Sequence, residues 1–138
     1  MVDGVFDPTI GALNTVLNLR LANQNVISSN IANADTPGYK SKKMEFEGAL
    51  REALSVGSTL QAEGTHPEHI QRRSTDPVFP EVYEDPNGVE SIDGNTVDRS
   101  AEMAAMAENQ LMYDAATEAL KRKIGMLKYV IGEGGGNR

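Results

Sequence analysis

The sequence predicts a mainly α fold in which long N- and C-terminal helices pair as a coiled-coil-like bundle, with an irregular middle segment containing a small β-hairpin. Three observations predict it. Apolar residues recur at three-four spacing near both ends of the chain, the pattern of helices that pack on another long helix. Polar, turn-rich sequence separates the two periodic stretches. Within it, an Asn-Gly pair lies between two short valine-containing runs, as in a hairpin. On this reading the 138 residues divide into an N-terminal helix (1–34), a middle segment (35–95), a C-terminal helix (96–131) and a flexible tail (132–138).

The first helix opens at Asp7-Pro8, an aspartate able to accept from free backbone amides followed by a proline at the first helical position. It is expected to run over residues 8–33, with Ile10, Leu13, Leu17, Arg20, Gln24, Ile27 and Ile31 along its seam. Between positions 9 and 33 the one charged residue is Arg20, while asparagine stands at 14, 18, 23, 25, 30 and 33. Asparagine competes for backbone hydrogen bonds and weakens a helix. Such a helix gains its order from its surroundings, with side-chain amides pairing across interfaces. Its end is set by Pro37, which fixes φ for position i+1 of a type II turn, and Gly38, which supplies the positive φ at i+2.

In the middle segment, residues 40–43 form a short basic run, and residues 44–54 suit either an extended piece or a brief helix. Residues 55–75 are polar and patternless, the composition of a mobile stretch. Residues 78–83 and 89–92 flank the turn sequence Glu84-Asp85-Pro86-Asn87-Gly88 and read as the hairpin.

The last helix is expected to begin near Asn95 or Thr96, with Asp98 in its first turn, and to end at Ile131 with Gly132 as a left-handed cap. Met103, Met106, Gln110, Tyr113, Thr117, Leu120, Ile124, Leu127 and Ile131 repeat the seam spacing. Ala101, Ala104, Ala105, Leu111, Ala115 and Ala119 add a second, small-residue stripe. Two faces imply two kinds of neighbour: the other terminal helix within the subunit, and further subunits. The acids Asp98, Glu102, Glu108, Asp114 and Glu118 precede the bases Lys121, Arg122, Lys123 and Lys128, which matches the helix macrodipole.

Composition narrows the function. Leu, Ile, Val and Phe together number 30, with no tryptophan, so an independent core is thin and the chain is suited to packing against copies or relatives. The net charge of -7 argues against nucleic acid, and eight acids between positions 63 and 93 make the acidity a property of the middle segment. The absence of cysteine excludes disulfides and thiol chemistry. No cleavable signal peptide is expected, because Asp3 and Asp7 stand where a basic patch belongs, and no apolar run reaches membrane-spanning length.

No catalytic, cofactor or metal site is expected. His66 and His69 flank Pro67 and lack a well-spaced third ligand beside Glu63. Residues 85–95 lack the glycine and terminal glutamate placement of an EF-hand loop. The glycines of 132–136 have no following Lys-Ser/Thr. No nucleophile has a base partner in sight.

The string Asn30-Ile31-Ala32-Asn33-Ala34-Asp35-Thr36-Pro37-Gly38-Tyr39-Lys40 closely resembles the N-terminal signature of the bacterial flagellar axial proteins, the rod, hook and hook-associated subunits. Near the other end, Asp93-Gly94-Asn95-Thr96-Val97-Asp98, Glu102-Met103, Met106-Ala107-Glu108-Asn109-Gln110-Leu111, Tyr113 and Met126-Leu127-Lys128-Tyr129 are similar to the short proximal rod subunits of that family, with Arg99-Ser100 a departure. The resemblance implies a structural subunit that assembles through its terminal helices into the proximal rod and transmits motor torque. It further implies Asn30, Ile31, Ala32, Asn33, Thr36, Pro37, Gly38 and Tyr39 as the motif and turn. The expected assembly seam is Leu13, Leu17, Ile27, Ile31, Met103, Met106, Tyr113, Leu120, Ile124, Leu127 and Ile131. Implied partners are other rod subunits, the ring-adaptor protein at the rod base and the flagellar type III export apparatus, which carries axial proteins to a periplasmic rod without a cleaved signal. The rival reading is a soluble helical adaptor or regulator that binds a partner helix through the same heptads.

Overall fold

The computed structural model describes residues 8–57 and 80–134. Helix α1 spans Pro8–Ala32, strand β1 Lys42–Met44, helix α2 Phe46–Gly57, strand β2 Val82–Glu84 and helix α3 Arg99–Gly134. Helices α1 and α3 lie along one another, and the direction is antiparallel, since Asn30 of α1 bonds Glu102 while Asn23 bonds Asn109 further along α3. The mainly α class with a small two-stranded sheet is what the chain forms.

A compact hydrophobic cluster fastens α2 and β1 to α1. Leu19, Met44 and Ala49 are its buried members, with Ala22, Val26, Phe46 and Leu50 packed around them. Phe46, Ala49 and Leu50 stand at i, i+3 and i+4, so one face of α2 enters the cluster. Glu45 starts that helix by accepting from the Gly48 amide through its carboxylate, 3.1 Å away. Arg20, the one charged residue of the α1 interior, places its guanidinium 4.1 Å over the Phe46 ring, a cation–π contact that supports a charge on an otherwise neutral helix.

Three expectations are corrected. The strand Val82–Glu84 does not pair with residues 89–92; it pairs antiparallel with Lys42–Met44, in the register Lys42 with Glu84, Lys43 with Tyr83 and Met44 with Val82. The reason lies in the turn. The Gly88 amide donates to Asp85 O with Pro86 at i+1, and neither Asn87 nor Gly88 has positive φ, so the turn belongs to type I rather than the primed types that match hairpin twist. Gly88 is required for another reason: a Cβ there would lie 2.8 Å from Thr96 Cβ.

The last helix begins at Arg99, because Asn95 and Thr96 are engaged in the junction described below, and Asp98 is its cap, accepting from the Ser100 and Ala101 amides at 2.9 and 3.1 Å. Helix α3 also passes through Gly132 to Gly134, with no left-handed φ at Gly132. Residues 44–54, for which two conformations were open, use both: a strand end at Met44 and then α2. The histidines at 66 and 69, the polar stretch over 58–75, residues 78–79 and the tail over 135–138 lie outside the described residues.

Candidate functional site

The two sequence blocks that carry the resemblance, residues 30–40 and 93–98, are docked on one another at the end of the helical pair. The junction is polar and buried. Asn30, Ser41, Asn95 and Asn109 are the buried polar residues among those described, at 0, 3, 2 and 3% exposure, and each is fully engaged. Buried amides require such partners, because an unmet donor or acceptor away from water costs about 1–3 kcal/mol.

Asn30 acts as a surrogate strand. Its Nδ2 donates to Lys42 O at 2.8 Å and its Oδ1 accepts from the Lys42 amide at 2.9 Å, so the side chain satisfies both backbone groups of a strand residue. The same Nδ2 reaches Glu102 Oε1 at 3.0 Å, which joins α1, β1 and α3 at one point. The Tyr39 hydroxyl donates to Asn30 Oδ1 at 3.4 Å.

Asn95 closes the exit of α1. Its Nδ2 lies 2.9, 3.0 and 2.8 Å from the carbonyl oxygens of Asn33, Ala34 and Thr36, and its Oδ1 accepts from the Val97 amide at 2.7 Å. The last helical carbonyls, of Ser29, Asn30 and Ile31, are met by the Asn33 and Ala34 amides; the carbonyls just past the helix end are bonded by a residue about sixty positions later. Thr36 O also accepts from the Tyr39 amide at 3.2 Å across Pro37 and Gly38, with Gly38 at φ +72°, as the type II reading requires.

The chain leaving this turn runs beside residues 93–96. Gly38 donates to Asp93 O at 2.9 Å, Thr96 donates to Tyr39 O at 3.1 Å, and the Ser41 amide donates to Thr96 Oγ1 at 2.9 Å. Gly94, at φ +79°, faces Gly38: a Cβ on Gly94 would stand 3.5 Å from Gly38 Cα. The basic run and the acidic loop are matched here, with Lys40 on Glu90 at 3.1 Å and Lys43 on Asp85 at 2.7 Å.

That second pair fixes two charges. The hydrogen bond from Lys43, joined by the Asn87 amide, holds the Asp85 carboxyl below its ordinary range, and the same bond holds the Lys43 ammonium above its own. Both remain ionised at neutral pH, so the open groove they line, about 610 Å³ with Thr96, Asp98 and Glu102 on its walls, holds a locked ion pair rather than a poised acid or base. Because the folded pKa of Asp85 is depressed, the pair's contribution is present above 3.8, the ordinary value, and is lost as pH falls through the lower folded value. Lys43 is 52% exposed, so screening limits the contribution. Asp85→Asn is expected to lower stability by no more than about 1 kcal/mol at neutral pH. In urea unfolding the difference from the unsubstituted chain should close in strong acid; an equal difference at both pH values would show that the ion pair is not its source.

The predicted seam is placed in part. On α1, Ile27 is buried and Leu13, Leu17 and Ile31 are half-buried. On α3, Met106, Tyr113, Leu120 and Leu127 are half-buried, whereas Met103, Ile124 and Ile131 are 59, 39 and 75% exposed. Gln110 is exposed as well, and its neighbour Asn109 takes the central place: it donates to Arg20 O at 2.9 Å and Gln24 Oε1 at 2.8 Å and accepts from Asn23 Nδ2 at 3.2 Å. Asn109 and Ala116 are small enough to bring α3 close to α1, which turns the heptad positions Met103 and Gln110 off the contact. Of the motif residues, Asn30 is buried and Ile31, Asn33 and Tyr39 are half-buried, while Ala32, Thr36, Pro37 and Gly38 are exposed at the rim. The contributions of Asn95 and Asn109 were not assigned from sequence; the signal available for Asn109 was a short amide next to the seam residues Met106, Gln110 and Tyr113.

The fold and the junction define a helical hairpin whose two terminal blocks lock together, with a middle segment leaving the lock, which is the form of a structural subunit built for packing. A family model described as flagella basal body rod protein matches residues 12–40, the stretch that contains most of α1 and the turn. Curated relatives extend the likeness across the chain. The flagellar basal body rod protein FlgB of Aeromonas hydrophila is 38% identical over 130 residues, covering 93% of this chain and 96% of that protein. FlgB of Bacillus subtilis (strain 168) is 35% identical over 127 residues (92 and 95%), and FlgB of Escherichia coli (strain K12) is 34% identical over 122 residues (86 and 88%). The chain belongs to the flagellar basal body rod protein FlgB family and is a structural subunit of the rod.

Proposed function

We propose that the chain builds the proximal part of the rod through its terminal helices and carries torque through the junction. The observation that supports this reading is the union of the two terminal blocks through Asn30 and Asn95, each bonded to backbone groups of distant segments. A force on the middle segment reaches both long helices at once, because the segment leaving the turn is bonded to α1 by Asn30 and to the approach of α3 by Thr96. Ile27, Leu13, Leu17, Ile31, Met106, Tyr113, Leu120 and Leu127 hold the pair together, and the exposed Met103, Ile124 and Ile131 serve neighbours. Those neighbours are other rod subunits and, at the rod base, the ring-adaptor protein. The chain reaches its site, the periplasmic rod, through the flagellar type III export apparatus. Shared burial on assembly offsets the entropy of ordering a polar helix such as α1.

The test is removal of residues 28–39 in the native bacterium, followed by electron microscopy of purified basal bodies and a swimming assay. Rings that lack a rod, with loss of swimming, are the expected result. Intact flagella and normal swimming would sink the reading.

A further inference from the structure

The sequence holds one Asn-Gly pair, Asn87-Gly88, and it stands in the turn that Lys43 clamps through Asp85. Asparagine is among the thermolabile residues, and the residue that follows it sets how readily it reacts. At Asn95 a branched threonine follows, whereas Gly88 has no side chain to shield its amide nitrogen from the Asn87 side chain. Asn87 is also exposed to water. The glycine cannot be exchanged for a slower neighbour, because a Cβ at that position would lie 2.8 Å from Thr96 Cβ. Packing against Thr96 therefore keeps a reactive pair in the loop.

The reaction is internal to the chain. The Gly88 amide nitrogen gives up its proton and bonds to Asn87 Cγ, the bond from Cγ to Nδ2 breaks, and ammonia leaves with that proton. A five-membered cyclic imide is left. Water adds to one of its two carbonyls and opens it, giving aspartate or, where the chain is rerouted through the side chain, isoaspartate. Asp93-Gly94 in the same loop can close the same ring, but an ionised carboxylate is a poorer target for attack, and its Oδ1 is held by the Asn95 amide at 3.1 Å.

The folded turn opposes the first step. The Gly88 amide donates to Asp85 O at 3.2 Å, and the Asn87 amide donates to Asp85 Oδ1 at 3.0 Å. In a type I turn the residue at i+2, here Asn87, has ψ near 0°, whereas ring closure needs the Gly88 nitrogen eclipsed with Asn87 Cβ, a rotation of about 120°. That rotation breaks the bond to Asp85 O. Attack waits for the turn to open.

We propose that Asn87 is a deamidation site gated by folding, protected in the folded chain and reactive wherever residues 85–88 are released. The isoaspartate product does not fit back into the loop. It puts one extra backbone atom between position 87 and Gly88, while Gly88 is pressed on Thr96 and Thr96 Oγ1 holds the Ser41 amide at 2.9 Å. A chain left open too long therefore carries a lesion into the junction.

The full chain is incubated in mildly alkaline buffer and, in parallel, in urea, with folding followed by far-UV circular dichroism. Cleavage after Arg73 and Arg99 releases the peptide 74–99, in which tandem mass spectrometry locates and distinguishes aspartate and isoaspartate. Conversion at 87 is expected to be about tenfold or more slower in buffer than in urea, tenfold corresponding to a turn-opening free energy of about 1.4 kcal/mol. Asp85→Ala removes the acceptor of the Asn87 amide and the partner of Lys43, so it should raise the rate severalfold in buffer and leave the rate in urea unchanged. Equal rates in buffer and urea would overturn the gate, and conversion in urea that falls on Asn95 before Asn87 would overturn the site. Isoaspartate chains returned from urea to buffer should show faster amide exchange at Ser41 and Thr96 than unconverted chains treated alike; equal protection in the two would overturn the misfit.

Discussion

Asn95→Asp is expected to destabilise the chain by about 2–4 kcal/mol although it changes no heavy-atom shape, because the cost of an unmet buried group is about 1–3 kcal/mol and more than one group is affected. The side chain is 2% exposed, and its Nδ2 is the donor shared by the carbonyls of Asn33, Ala34 and Thr36. Aspartate places an oxygen where that donor stood, facing three others. Asn95→Ala removes the donor without adding the repulsion, so it should cost less than Asn95→Asp at neutral pH. Protonation of the introduced carboxyl restores one donor, and the gap between the two variants should narrow in acid. Urea unfolding followed by far-UV circular dichroism, with both variants at neutral and acidic pH, measures this. The Thr36 and Tyr39 amides also donate to Asn33 O and Thr36 O, so Ala34 O is the carbonyl most dependent on Asn95. Equal stability of Asn95→Asp and the unsubstituted chain at neutral pH would mean that Asn95 does not close the exit of α1.

The consequence extends beyond stability. The exit of α1 and the approach to α3 are tied by this residue, so its loss should loosen both at their shared end while leaving the α2 cluster around Leu19 and Met44 in place. Amide exchange should rise at residues 33–39 before it rises in α2.

The helices were legible because their signals are local. The proline at position 8, the three-four spacing and the Thr36-Pro37-Gly38 turn each act within a few residues, and they located α1 within a residue or two of Pro8–Ala32. Local reasoning misplaced the partner of Val82–Glu84 for the same cause. Asn87-Gly88 suggested a hairpin, whereas the actual partner lies about forty residues earlier and is chosen by long-range terms: the charge match of Lys40 and Lys43 with Glu90 and Asp85, and the bonds of Asn30 to Lys42. Pro86 at i+1 was the local clue against the hairpin, since it favours a type I turn. The junction was half legible. Both of its blocks were singled out, but sequence cannot reveal that the amide of Asn95 reaches back to Asn33, because no periodicity links the two positions. Along α3, Met106, Tyr113, Leu120 and Leu127 are half-buried, whereas Met103, Gln110 and Ile124 are exposed and Asn109, beside Gln110, is buried. Small polar residues at a close helix contact carry little hydrophobic signal, yet they decide which side of the helix faces inward.

Asn30 is the residue whose replacement should most clearly separate hydrogen bonding from packing. It is fully buried, and its side chain is bonded to both backbone groups of Lys42, to Glu102 and to the Tyr39 hydroxyl. Asn30→Leu keeps the branched outline of the side chain, with bulkier methyl groups, and adds apolar surface, so if the position were a matter of filling space the variant would lose little. The geometry gives the opposite expectation: Lys42 loses its partners on the α1 side, Glu102 loses a donor in a half-buried site, and the loss comes to about 2–4 kcal/mol at roughly 1–3 per unmet group. Asn30→Asp should be worse at neutral pH, since a carboxylate can still accept from the Lys42 amide but is set against Lys42 O and the carboxylate of Glu102. Pairing Asn30→Asp with Glu102→Gln then supplies a donor opposite the new carboxylate, and part of the lost stability should return, more than the two single effects added together allow. Additive losses would show that Asn30 and Glu102 act independently. The coupling, if found, would place α1, β1 and α3 under the control of a single buried amide.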